Sequence, residues 1–395
     1  MRITRGSGLF RYGVGILTAA LACLQPGIDP VFLTLLSAAH GVHPADHGWI
    51  VGATQSGMAL GSVIVLRFGS RLPSVAFPLS AVAALLASIA TVRVEATALL
   101  LVLRGCYGLA MGVIYTHAMS RAALSRPHGA YGAVFLIQLL LSTLVALLLP
   151  RIAAAGSPAL ALATHSLVPL AALLMTLVSG RLGRGTGAAP LPTLDQHGKD
   201  RPDAAAWALA TASLLFICTT MMVWSFTGAL ASAAHFSGAT IGSAVAVGSI
   251  AGAATALFVM REKIIVPLPL TGLLAGLSLL SPMVAIPTGA APLFLLSIIL
   301  LNIGSTAIII RCSGAAAARS RDPQFQRVVA FTHSGGMILG PVTGSLLTHS
   351  FGAAGLEGGA MLALAAGCGA LLLAAALRKR AIGAQNRAEE APAIP

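Results

Sequence analysis

Twelve apolar stretches run through this chain from end to end, each close to the ~20 residues a helix needs to cross a bilayer core. They cover approximately 12–38, 47–66, 74–92, 96–118, 130–150, 158–180, 205–232, 238–260, 264–286, 290–310, 328–349 and 357–377. The basic residues sort themselves against this frame. With the connecting segments numbered alternately, 21 of the 24 Lys and Arg residues fall on one side, among them Arg2, Arg67, Arg71, Lys199, Arg201, Arg378 and Lys379. Arg93 and Arg151 stand on the other side, and Arg104 lies inside a span. Positive charge is retained in the cytoplasm, so both termini are predicted to be cytoplasmic and the number of crossings even.

A chain that is 57% hydrophobic and 9% charged is not a soluble globular domain. Its net charge of +13 sits in short loops between spans, forms no basic face, and gives no indication of nucleic acid. Backbone groups in lipid must bond within each segment, and these stretches lack the two-residue alternation of a barrel, so an all-α membrane protein follows. Arg2, Arg5 and Arg11 followed by an apolar run to Cys23 loosely imitate a signal peptide. Apolar character continues through Leu36, which predicts one uncleaved first helix instead. The five cysteines are scattered one per span with no CxxC pair, as expected of small packing residues rather than a disulfide or zinc framework.

The longest loop, 181–204, predicts a cytoplasmic linker between two six-helix units, 1–180 and 205–380, with a tail at 381–395. Gly57-x-x-x-Gly61 followed by Arg67 and Arg71 in the second span is echoed by Gly248-x-x-x-Gly252 followed by Arg261 and Lys263 in the eighth. Small residues four apart allow close helix approach, and the matching rank predicts a parallel duplication.

Three segments resemble the major facilitator superfamily. Leu66-Arg67-Phe68-Gly69-Ser70-Arg71 is similar to the family's loop after the second span, with Leu66 where that motif has Asp. Arg104-x-x-x-Gly108 matches the family's fourth-span pattern. Gly336 to Gly344, with Gly340 and Pro341, resembles a Gly-Pro motif of antiporters, displaced here from the fifth span to the eleventh. The resemblance implies twelve transmembrane helices in two pseudo-symmetric halves and transport by alternating access. It also implies that the first and fourth helices of each half line a central cavity, and that Arg104 takes part in proton coupling. Leu66 withholds the carboxylate of the cytoplasmic charge network, which leaves Arg67, Gly69 and Arg71 as candidate gating residues or simple orientation charges.

Of the Asp, Glu, Lys and Arg residues, Asp29 and Arg104 lie deep in spans. A charge there costs at least ~2.5 kcal/mol and faces a partner or a wet cavity. At 1.5 Å per residue both sit on the order of 12–15 Å from the outer end, so they are expected to meet. Either Asp29 carries a proton that Arg104 tunes, or the two form a permanent structural ion pair. Pro26, Gly27 and Pro30 around Asp29 are expected to loosen the helix and free backbone carbonyls. His117, His165 and His333 are further titratable candidates, His117 on a release path. Gln55, Tyr107, Trp224, Asn302 and His333 are candidate cavity residues. His40, His43, Asp46 and His47 read as a solvated turn.

No Walker loop, HExxH or GxSxG motif occurs, which argues against an ATPase or an enzyme. The expectation is a secondary transporter in a bacterial inner membrane, acting as a monomer without cofactor or metal. Its partners are a small organic solute, protons and the lipid bilayer, with efflux of amphipathic compounds the first choice. An importer of organic anions held by Arg104 is the second. Copper uptake through His333 and Met337, spaced i, i+4, and a non-transporting receptor complete the alternatives.

Overall fold

The computed structural model describes residues 3–69, 71–125, 127–183, 202–259, 266–320 and 322–389. Most of the 181–204 linker, with Arg184, Lys199 and Arg201, lies outside the described residues, as do Arg2, Arg261 and Lys263. Every regular element among the described residues is helical.

The first predicted span divides into α1 (Ile3–Ala22) and α2 (Gln25–His40). Pro26 explains the break, since its ring displaces the carbonyl four residues earlier, and α1 ends at that residue, Ala22. A 3₁₀ turn, Pro44–Asp46, leads into α3 (His47–Phe68). There follow α4 (Ala76–Thr91), α5 (Thr97–Ser125) and α6 (Pro127–Ala155). The sixth predicted span is likewise two pieces, α7 (Pro158–His165) and α8 (Leu167–Gly183). Beyond the linker come α9 (Ala204–Ala233), α10 (Gly238–Val259), α11 (Leu268–Ala285), α12 (Ala291–Ala317) and α13 (Pro323–Glu389). α13 contains both final spans and turns at Gly352, whose φ of 65° and ψ of −152° leave the helical region. Among the described residues, ten helical segments are long and apolar enough to cross a membrane; α4, at 16 residues, is a shorter apolar helix.

Glycines set which helices touch. A side chain at Gly57 or Gly61 would run into the Gly105 and Leu109 carbonyls of α5, and one at Gly108 or Gly112 into the Thr54 and Met58 carbonyls of α3. Backbones approach this closely only where small residues face each other. The eighth-span pair packs less closely: Gly248 of α10 lies tight against the Ile298 and Asn302 side chains of α12, while a side chain at Gly252 would make ordinary contacts with Asn302 and Thr306. The second span thus packs on the fourth, and the eighth on the tenth.

The helices before and after the linker, α1–α8 and α9–α13, join toward the end that carries the 3₁₀ turn. Ser345 Oγ donates to the Ala45 carbonyl at 2.6 Å and accepts from the Trp49 amide at 3.1 Å. His349 Nε2 lies 3.0 Å from Asp46 Oδ1. Thr143 Oγ1 reaches the Ala246 carbonyl at 3.3 Å, and Trp224 Nε1 donates to the Pro26 carbonyl at 2.7 Å. The turn at 40–47 is therefore a latch and not only a solvated loop: His47, 1% exposed, bonds Ser37 Oγ at 2.7 Å, and Asp46 reaches across to α13. Its partner lies about 300 residues away in the chain, beyond the reach of local pattern.

Candidate functional site

The interior of the first helix set holds a compact polar cluster at the break between α1 and α2. Asp29 is 2% exposed, and its Oδ1 accepts from Gln25 Nε2, one turn earlier, at 2.8 Å. Arg104 of α5 is 1% exposed. Its Nε donates to Thr54 Oγ1 at 3.2 Å, while Thr54 spends its own proton on the Ile50 carbonyl at 2.9 Å. Gly108 makes that bond reachable: it lies one turn from Arg104, on the same face, and lets α3 approach. The guanidinium carbon sits 4.6 Å from the Phe32 ring centre and 4.3 Å from that of Tyr107, a cation held between two aromatic faces. His165, at the end of α7, closes the group, with its ring 5.2 Å from Phe32 and 6.3 Å from Tyr107.

Asp29 and Arg104 are brought close enough for their charges to interact, as their depths predict, yet no ion pair within 4.0 Å joins them. Each is engaged elsewhere, and each keeps buried atoms with no hydrogen-bond partner: Asp29 Oδ2, Gln25 Oε1, and both Nη atoms of Arg104. Both ring nitrogens of His165, Ser142 Oγ and Gln55 Nε2 are in the same condition. Buried polar groups in proteins are bonded in the great majority, so a cluster of exceptions marks a place where something changes.

Neither a family model nor a curated protein sequence matches the chain. Its structure does match solved transporters. A nucleoside transporter, NupG, solved as a mutant, superposes with a TM-score of 0.68 at 10% identity, over 93% of this chain and 99% of that one. A bacterial homologue of the human lysosomal transporter Spinster, inward-facing and occupied, superposes with a TM-score of 0.65 at 14% identity, over 93% and 95%. Its inward-facing, unoccupied form gives 0.60 at 14% identity, over 94% and 96%. The chain has the major facilitator fold.

The remaining candidates take definite places in the major facilitator fold. Tyr107, 1% exposed, is part of the cluster through its ring. Trp224 bridges to Pro26 and is 6% exposed, and Gln55 is 4% exposed. Asn302 is half-buried against Gly248, its amide bonded to the Ile298 carbonyl of its own helix at 2.9 Å. His117 stands apart. Thirteen residues from Arg104 turn the helix about 220°, so the two point in different directions. Its ring stacks on Phe77 of α4, with centres 3.5 Å apart. His333 has an accessible side chain although it lies deep within the protein, which fits the wall of a cavity. Met337 shares its face, but no group of three or more His, Cys, Asp or Glu side chains converges among the described residues.

The motif residues lie at the surface and at helix contacts. Arg67 and Arg71 are exposed beside Leu66, which is 72% exposed, and Gly69 caps α3 through its amide to the Val65 carbonyl at 2.8 Å. Gly340 lies against the backbone of Cys218 in α9, Gly344 against Phe226 and Met222, and the Pro341 carbonyl against Gly48 of α3. These three residues make α13 the common wall of α3 and α9. Sequence reading did not single out Gln25, Thr54 or Phe32. Gln25 was findable, four residues before Asp29 and hence on its face; nothing in the sequence marks the other two.

Proposed function

We propose that the chain is a secondary active transporter that moves a small organic solute by alternating access, coupled to protons through Asp29. On this reading α1–α8 and α9–α13 are two six-crossing halves, twelve crossings arise with α4 included and α13 counted twice, and both termini are cytoplasmic in a bacterial inner membrane. The conformation is inward-facing: bonds between the halves run from the latch to the level of Pro26, while His333, nearer the terminal end, is accessible. Halves of this kind rock about a midplane site.

One observation carries the proton role. A buried acid and a buried guanidinium lie within charge range of each other without forming an ion pair, with free bonding atoms on each. A permanent structural pair would consume those atoms, whereas a working pair must be able to exchange partners. The test is uptake into liposomes under an imposed pH gradient, with a compound panel that includes nucleosides, the solute class of one structural neighbour. Gradient-driven transport is expected in the unaltered protein and absent in Asp29→Asn; uphill transport that survives the substitution removes the proton role. Efflux of amphipathic compounds remains the preferred direction.

A second reading has its own support. Nη1 and Nη2 of Arg104 both lack a partner, and that two-pronged edge suits a carboxylate. Transport of organic anions that needs no pH gradient, and protection of Arg104 from modification by substrate, would favour it.

A further inference from the structure

Gln25 and Asp29 leave an imbalance that one proton removes. Gln25 Nε2 already donates to Asp29 Oδ1 at 2.8 Å. What remains on the pair is Gln25 Oε1 and Asp29 Oδ2, both buried and both without a partner. An ionised carboxylate only accepts, and an amide oxygen only accepts, so the two cannot satisfy each other. A buried polar atom left bare is destabilising, so the ionised pair is penalised twice. A proton on Oδ2 converts it to a donor for Oε1. Two planar groups joined along one edge then close a ring of two hydrogen bonds.

We infer that Asp29 and Gln25 form a neutral acid–amide couple in this conformation, with Gln25 the positioning residue that holds the protonated acid. The inference rests on the reading of Asp29 as the proton carrier, and it accounts for a second observation. Arg104 lies within charge range of Asp29 yet makes no ion pair with it, bonding Thr54 and lying between Phe32 and Tyr107 instead. A neutral acid makes no demand on a nearby cation. The other groups around this turn are Tyr107 of α5 and His165 of α7, with Gln138 and Ser142 of α6 against Gly27, and Trp224 of α9 at Pro26. Arg104 is the cation among them. When Oδ2 gives its proton to water, the couple becomes two facing acceptors and is lost. The new carboxylate then takes donors from the free Nη atoms of Arg104, and that exchange ties the proton to a shift of α2 against α5.

The test reads the proton directly and does not use transport. The full chain, without its five native cysteines, is held closed by a bifunctional thiol reagent across Asp46→Cys and His349→Cys. Infrared difference spectra are then taken in lipid at neutral pH. A protonated-carboxyl band that disappears in Asp29→Asn is expected. The same band should move to higher frequency in Gln25→Met and in Gln25→Ala, which lack the amide donor. Absence of any band lost in Asp29→Asn overturns the couple, and so does a band unmoved in both Gln25 variants. A shifted band together with uphill transport that survives Asp29→Asn supports the couple and overturns the transport reading instead.

Discussion

The indole of Trp224 donates to the carbonyl of Pro26 at 2.7 Å, and Pro30 is the reason that carbonyl is free. Proline has no amide hydrogen, so residue 30 cannot bond the carbonyl one turn back, and α9 supplies the missing donor. The contact is therefore a bond between the two helix sets made out of a defect in α2. Trp224→Phe keeps the ring and removes the donor, leaving a buried carbonyl bare at a cost of ~1–3 kcal/mol. Where opening exposes that carbonyl to water, the closed state loses roughly 5- to 150-fold in population. Thiol labelling from the latch side should accelerate accordingly; an unchanged rate would show that the bond does not hold this closure.

Gly108 and Gly105 offer a matched pair of substitutions. A methyl group at Gly105 meets nothing nearer than the Ala53 carbonyl at 3.8 Å, an ordinary contact, while one at Gly108 collides with the Thr54 carbonyl. Gly108→Ala should lower stability by ~1–3 kcal/mol and loosen Arg104 from Thr54. Gly105→Ala should be close to neutral. Thermal unfolding in detergent checks the contrast, and equal midpoints for the two variants would contradict the packing described for α3 and α5.

Arg104→Lys is not a conservative change at this position. An ammonium has neither the flat face that lies between Phe32 and Tyr107 nor the Nε that bonds Thr54. A desolvated cation–aromatic contact is worth ~2 kcal/mol. The variant should unfold at lower temperature and lose gradient-driven transport; an unaltered unfolding midpoint would mean the ring contacts hold nothing.

The latch should depend on His349. His349 and Asp46 are partly exposed, at 46% and 22%, so their contact is worth ~0.2–1 kcal/mol, as for a pair at the surface. A cysteine at the buried position of Val51, in a chain without native cysteines, should label faster from that side in His349→Ala than in the unaltered latch. An equal rate in the two would show that this contact does not hold the closure.

Much of this was legible in the chain. Spans followed from apolar length, and the deep placement of Asp29 and Arg104 followed from counting residues inward. Pro26 and Pro30 foretold a freed carbonyl near Asp29. Direct pairing of Asp29 with Arg104 was one expectation that failed to appear, because Gln25, Thr54 and two rings reach those groups first. Histidine placement was also out of reach. Depth gives a level in the membrane but no direction around the helix, so His165 joins the cluster while His117 turns to Phe77.

What the chain determined unaided is that it must be a bundle of apolar helices, since lipid leaves the backbone no other way to bond itself and the run lengths match a bilayer. It also determined that the first helix is weakened near Pro26 and Pro30, because proline removes a bond regardless of its surroundings, but not that the helix parts at Pro26 and runs on through Pro30. Tertiary structure alone decided which side chains meet. Contacts such as Trp224 with Pro26 and His349 with Asp46 join residues 198 and 303 positions apart. Such pairs depend on the rotation of each helix about its axis, and that rotation is set by how the glycine faces seat against one another.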